Sequence, residues 1–171
     1  AGGGDPLADK SLGQCVEVRR PQPDRPRSAG AGDHFRQQIV RQLIARRHDD
    51  AIACYREVLR RDPGRPEVHG HLGLVHQSLG DLEAAVLHLR EAVRLAPDDA
   101  RAHNRLANAL LAAGDLDGAI VHYRRVVDLR PRNVFGRVNL GKALRRAGHV
   151  EEAEAHLREA RRLEERRRRE P

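Results

Sequence analysis

Pro63, Pro97 and Pro131 stand at a constant interval of 34 residues. A fixed period of that size marks stacked supersecondary units, each too small to bury its own apolar face. From His34 onward the apolar residues recur at three- and four-residue steps, and the intervening turns carry Gly, Asp or Pro. The pattern predicts helix pairs over 66–79 and 82–96 around Gly80-Asp81, and over 100–113 and 116–130 around Gly114-Asp115. A third pair falls over 134–147 and 150 onward, around Gly148-His149. An earlier pair, near 34–46 and 49–61, lacks the glycine and has a turn one residue shorter.

The composition agrees with such an array. Ala, Leu and Val supply the apolar content, with Tyr55, Tyr123, Phe35 and Phe135 as the only aromatics and no Met or Trp. A core of that kind suits close helix packing and not a β-sandwich, which draws on β-branched and aromatic residues. The missing Met, even at position 1, points to a processed chain or an excerpt from a longer one. Residues 1–33, with Gly2-Gly3-Gly4, Pro6, Pro21, Pro23 and Pro26, show no apolar periodicity and read as a flexible leader or linker.

The net charge is +7, and the excess sits at the two ends of the helical region, in residues 34–63 and in the basic tail at 166–171. No stretch approaches the roughly 18 apolar residues of a membrane span. Cys15 and Cys54 fit no metal or redox spacing and read as two thiols in a reduced cytosol; a periplasmic setting is the alternative.

The repeats carry residues that can be read one against another. One unit has His69-x2-Leu72-Gly73-x2-His76, then Ala85-x3-Leu89, then Pro97. The next has His103-x2-Leu106-Ala107-x2-Leu110, then Ala119-x3-Tyr123, then Pro131. The third has Arg137-x2-Leu140-Gly141-x2-Leu144, then Ala153-x3-Leu157, with Glu165 where proline falls in the others. The first unit keeps Ala51-x3-Tyr55 and Pro63, with Ile39 and Leu43 as inward residues. This pattern resembles the tetratricopeptide repeat family, a helix–turn–helix unit with W-x2-L-G-x2-Y, A-x3-F and P at fixed places. His or Arg stands where that family has Trp.

The resemblance implies an all-α fold, a right-handed α-solenoid with a degenerate repeat at 34–63 and clear repeats at 66–97, 100–131 and 134–165. It also implies a concave face lined by the first helix of each pair, and a protein partner held there. Carried over by position, that face comprises Glu67, Gly70, His71, Leu74, Gln77 and Ser78 from the first clear repeat. Arg101, Asn104, Arg105, Asn108, Leu111 and Ala112 follow from the second, and Phe135, Val138, Asn139, Lys142, Arg145 and Arg146 from the third. Arginine and asparagine interleaved with apolar residues suit an extended or helical acidic segment. Arg and Lys supply charge, Asn108 and Asn139 pair with backbone amides, and Leu74, Phe135 and Val138 give apolar contact. The two-carboxylate clamp that some members use on chaperone C-termini is not expected. Asn108 and Asn139 fill two of its places, but Asn104 stands where a lysine belongs.

Other constellations carry less. Cys54, His88, His122 and His156 form a ladder at the repeat interval. Residues on successive parallel helices step by about 10 Å, so four in a row do not surround one ion, and no metal site is expected. The arginine-rich end is interspersed with glutamates and lacks aromatics for base stacking, so nucleic acid is not the expected partner. No phosphate loop, nucleophile–base pair or cofactor motif is present, and the chain reads as non-enzymatic. Two alternatives stand beside the scaffold reading. One is an accessory module of a larger bacterial enzyme of transferase or sulfatase type; the other is self-association through a terminal repeat that has no capping helix.

Overall fold

The structure, a computed structural model, describes the backbone of residues 31–169 and side chains from residue 46 onward. Among the described residues every regular element is a helix: α1 (Ala31–Arg61), α2 (Pro66–Ser78), α3 (Leu82–Leu95), α4 (Ala100–Ala112), α5 (Leu116–Leu129), α6 (Val134–Arg146) and α7 (Val150–Arg169). Most of the leader, Cys15, and the side chains of Ile39 and Leu43 lie outside the described residues. The chain divides into two compact units at Glu57 and Val58.

The first unit shows the one clear departure from the expected elements. In place of a pair at 34–46 and 49–61, α1 runs without interruption from Ala31, inside the expected leader, to Arg61. The cause is local. His48-Asp49-Asp50 contains no glycine, and no non-glycine residue in the described chain takes positive φ. Without a residue that tolerates the left-handed region, the chain simply continues its helical hydrogen bonding.

The second unit holds α2 to α7 as three hairpins. The turns within them are built alike. Gly80, Gly114 and Gly148 have φ of 81°, 88° and 86°, and the amide three positions past each helix end reaches back five residues. Asp81 N donates to the His76 carbonyl at 3.0 Å, Asp115 N to Leu110 at 2.9 Å and His149 N to Leu144 at 2.9 Å. This pattern satisfies carbonyls that a helix end leaves without partners. The following helix starts at once, because the Asp81 and Asp115 carboxylates accept from the Ala84 and Gly118 amides. Between hairpins, α3 and α5 stop two residues before Pro97 and Pro131 and are capped by Ala96 and Arg130. Asp99 and Asn133 then cap α4 and α6. Glu165 replaces that proline in the last repeat, so α7 runs on to Arg169 and absorbs most of the expected tail.

Packing is nearest-neighbour. α2 packs on α3, α4 on α5 and α6 on α7; α3 meets α4, α5 meets α6, and the first helices α2 and α4 lie side by side. That contact order defines an α-solenoid. One core runs through it, with Leu89, Leu106, Ala119, Tyr123, Leu140, Leu144 and Ala153 nearly or fully removed from solvent. The small residue on each first helix sets the approach. A Cβ at Gly73 would lie 2.4 Å from Leu89 Cγ, and one at Gly141 2.8 Å from Leu157 Cγ. The closest neighbour is in each case the residue four positions after Ala85 or Ala153, and both alanines are themselves fully buried.

Candidate functional site

Several of the expected surface residues of α4 and α6 meet within the second unit. A hollow of about 300 Å³ opens between α4 and α6, lined by Ala100, Arg101, Asn104, Arg105, Arg130, Asn133, Phe135, Gly136 and Asn139. It contains three guanidinium groups and three side-chain amides and no carboxylate. Phe135 stands at its rim with 76% of its surface exposed.

Each side chain is placed by a local cause. Asn133 caps α6 by accepting from the Gly136 amide at 3.2 Å, which fixes its side chain at the start of that helix. Gly136 is buried against Val126, whose Cγ1 would sit 2.8 Å from an added Cβ, so α5 and α6 come close enough to bring Arg130 alongside. Asn139 Nδ2 donates to Asn104 Oδ1 at 3.2 Å, tying α6 to α4 across the hollow. Arg105 leans over α2, where its Nη1 lies 2.8 Å from the position a Cβ would take on Gly70. Gly70 thus leaves the room that Arg105 occupies. Beside it, the His71 imidazole is held below its ordinary range, first by partial loss of hydration and then by the Arg105 guanidinium, with Glu67 opposing. The same positive field that disfavours a second cation there favours an anion. Arg101 keeps a loose pairing with Asp99, at 3.6 Å between charged atoms and largely exposed.

Of the residues expected from sequence, the hollow gathers Arg101, Asn104, Arg105, Phe135 and Asn139. His71, Leu74 and Gln77 lie along α2 outside it, with Leu74 38% exposed. Lys142 and Arg145 are exposed further along α6. Asn108 is committed by one end, because its Oδ1 accepts the Tyr123 hydroxyl, leaving its amide N–H groups to face outward. Val138 lines a different hollow, of about 380 Å³, with Val134, Leu157, Ala160, Arg161, Glu164, Glu165 and Arg168 on the last hairpin. Arg130 and Asn133 were missed. Both belong to the inter-hairpin turn and not to a first helix; the signal for them was the Asn-capped start of α6 immediately after Arg130-Pro131.

The histidine ladder does not meet along its length. His88 and His122 pair instead within their own hairpins. His69 Nδ1 lies 3.2 Å from His88 Nδ1, and His103 Nδ1 lies 3.0 Å from His122 Nδ1. These first-helix histidines take the position where the resembling family has Trp. They also reach back to the preceding turn, His69 Nε2 to the Pro63 carbonyl at 3.3 Å and His103 Nε2 to the Pro97 carbonyl at 2.9 Å. In the third hairpin Arg137 does the same, donating Nε–H to the Pro131 carbonyl at 2.9 Å. A polar clasp on the proline turn replaces the packing of an indole.

Helical hairpins of constant stride, joined by proline turns and packed only on their neighbours, define a class of helical repeat protein. Two tetratricopeptide repeat models match the chain, one over residues 41–99 and 72–134 and the other over 110–168. The chain belongs to the tetratricopeptide repeat family, and it is a protein-interaction module. No curated protein matches it. Among solved structures it is similar to the MamA protein, at 24% identity with a TM-score of 0.66, covering 72% of this chain and 67% of that one. A MamA double mutant (RS-1 ArsTM) is similar at 25% identity and a TM-score of 0.66, covering 70% and 67%. A further MamA structure, MSR-1 C2, is similar at 23% identity and a TM-score of 0.62, covering 75% and 71%. No described helix is long and apolar enough to cross a membrane.

Proposed function

We propose that this protein holds an extended or helical acidic segment of a partner protein on the face formed by α2, α4 and α6, and performs no catalytic step of its own. The observation that carries the reading is the hollow between α4 and α6, where Arg101, Arg105 and Arg130 converge with Asn104, Asn133 and Asn139 and no carboxylate lines the wall. Guanidinium groups there offer paired N–H donors to a carboxylate, the asparagines offer donors and acceptors to a peptide backbone, and Phe135 offers an apolar anchor at the rim. Lys142 and Arg145 extend the positive surface along α6, and His71 and Leu74 extend the face onto α2.

The test is a titration of a fluorescein-labelled, Asp/Glu-rich peptide carrying one leucine, read by anisotropy. Arg101→Glu with Arg105→Glu should weaken capture at least tenfold while the far-ultraviolet circular dichroism is unchanged. Equal affinity for the two proteins would remove the hollow from the account. A second reading rests on the other hollow: its Val134, Val138, Leu157 and Ala160 wall is the surface on which a further hairpin would stack. It favours association of copies through the last repeat. Light scattering at rising concentration checks it, and a mass that stays at one chain counts against it.

A further inference from the structure

In two of the three hairpins of the second unit, an imidazole from the first helix faces one from the second through Nδ1, at 3.2 Å for His69 and His88 and 3.0 Å for His103 and His122. The remote nitrogen of each first-helix ring is held by a backbone carbonyl, Pro63 for His69 and Pro97 for His103. A carbonyl only accepts, so that remote nitrogen carries the hydrogen. In the neutral ring Nδ1 is then left with a lone pair aimed at its partner. Proteins orient metal-ligating histidines in this way, with one ring N–H anchored on a carbonyl so that the tautomer is fixed and the other nitrogen is presented.

We propose that each of these two histidine pairs is a chelate for one late first-row divalent transition ion, Cu(II) most tightly and Ni(II) and Zn(II) after it. With metal–nitrogen bonds of about 2.0–2.1 Å, two nitrogens at this separation subtend roughly 95–105° at the ion, which is cis ligation in a square or tetrahedral field. The ion takes the place of the single hydrogen that can lie between the two Nδ1 atoms; the second-helix imidazole that carried it holds its hydrogen on Nε2 instead, and both rings tilt so that their lone pairs meet the ion. Among the described residues no group of three or more His, Cys, Asp or Glu could hold an ion, so water completes the coordination and the sites are open. Four residues in a row do not surround one ion, whereas pairing within a hairpin is a different geometry. The third hairpin is an internal control, since Arg137 occupies the clasp position opposite the ladder residue His156.

The full chain is titrated with Cu(II) against glycine as a weak competing chelator, by calorimetry and by electron paramagnetic resonance. Two ions per chain with two-nitrogen signatures are expected. His103→Gln should lose one, and His69→Gln with His103→Gln should lose both. The glutamine amide still donates to the prolyl carbonyl, and a thermal melt confirms that the fold persists. Should those variants not fold, His88→Phe and His122→Phe remove the other half of each pair. Arg137→His should create a third ion site against His156. Stoichiometry unchanged in the double variant, with copper then held on surface groups such as His71 or His149, would overturn the proposal. So would a wild-type chain that takes up no copper.

Discussion

Two glycines of this chain are required for unlike reasons, and their alanine variants separate them. At Gly114 nothing lies within 4 Å of an added Cβ, yet φ is +88°; alanine there should cost roughly 1–2 kcal/mol from backbone strain alone. At Gly73 the backbone is ordinary helix, and an added Cβ meets Leu89 Cγ at 2.4 Å. Alanine gains up to about 1 kcal/mol in helix propensity, but Leu89 is fully buried and cannot withdraw. Overpacking of about 1–3 kcal/mol should therefore win. Urea denaturation of the two variants checks both signs. Two second-helix histidines add a pH dependence. His122 and His156 are both held below the ordinary imidazole range, chiefly by burial. Their folded pKa lies under the unfolded one, so their contribution is complete above the unfolded value of about 6.5 and is lost as pH falls through the folded value. The metal-free chain should melt at a lower temperature at pH 5 than at pH 7.5. His122→Gln should shrink that difference; an unchanged difference would remove His122 from the cause.

At the scale of elements, the six helices of the three hairpins were legible because several local signals agree. Apolar spacing, the Gly-Asp turns and the proline stops all specify the same boundaries, and the caps on Asp81, Asp99, Asp115 and Asn133 fall where those signals put them. The signals disagreed at two places, and at the first of them the reading went astray. At 46–49 the repeat period called for a turn, but no glycine was present to make one, and the continuous α1 shows that backbone chemistry outweighs period. At Glu165 the proline was absent, and the helix kept going through residues whose propensity favours it. The residues facing the hollow were legible on α4 and α6 and not in the turn, because a position pattern drawn from first helices says nothing of Arg130 or Asn133. The within-hairpin histidine contacts were also invisible, since they join residues 19 apart that the repeat interval never compares. Hydrogen exchange tests α1 directly. Amides across residues 46–50 should be as slow as those on either side, and a fast-exchanging break there would restore the hairpin.

For the whole molecule, the constant stride of the hairpins matters because it puts first helices beside one another with little between them. The pairs Arg124–Glu152 and Arg125–Asp98, at 2.9 and 2.8 Å, decorate the second-helix side; being exposed, each contributes about 0–1 kcal/mol and neither sets the architecture. On the first-helix side no carboxylate lines the hollow and Arg101 has only its loose pairing with Asp99, so it is there that an incoming acidic segment gains most. The most direct measurement is amide chemical-shift mapping of the ¹⁵N-labelled chain with an acidic peptide added. The shifts should concentrate on Arg101, Asn104, Arg105, Asn133, Phe135 and Asn139. Shifts confined to the outer surfaces of α3, α5 and α7, with those six residues unmoved, would contradict the account.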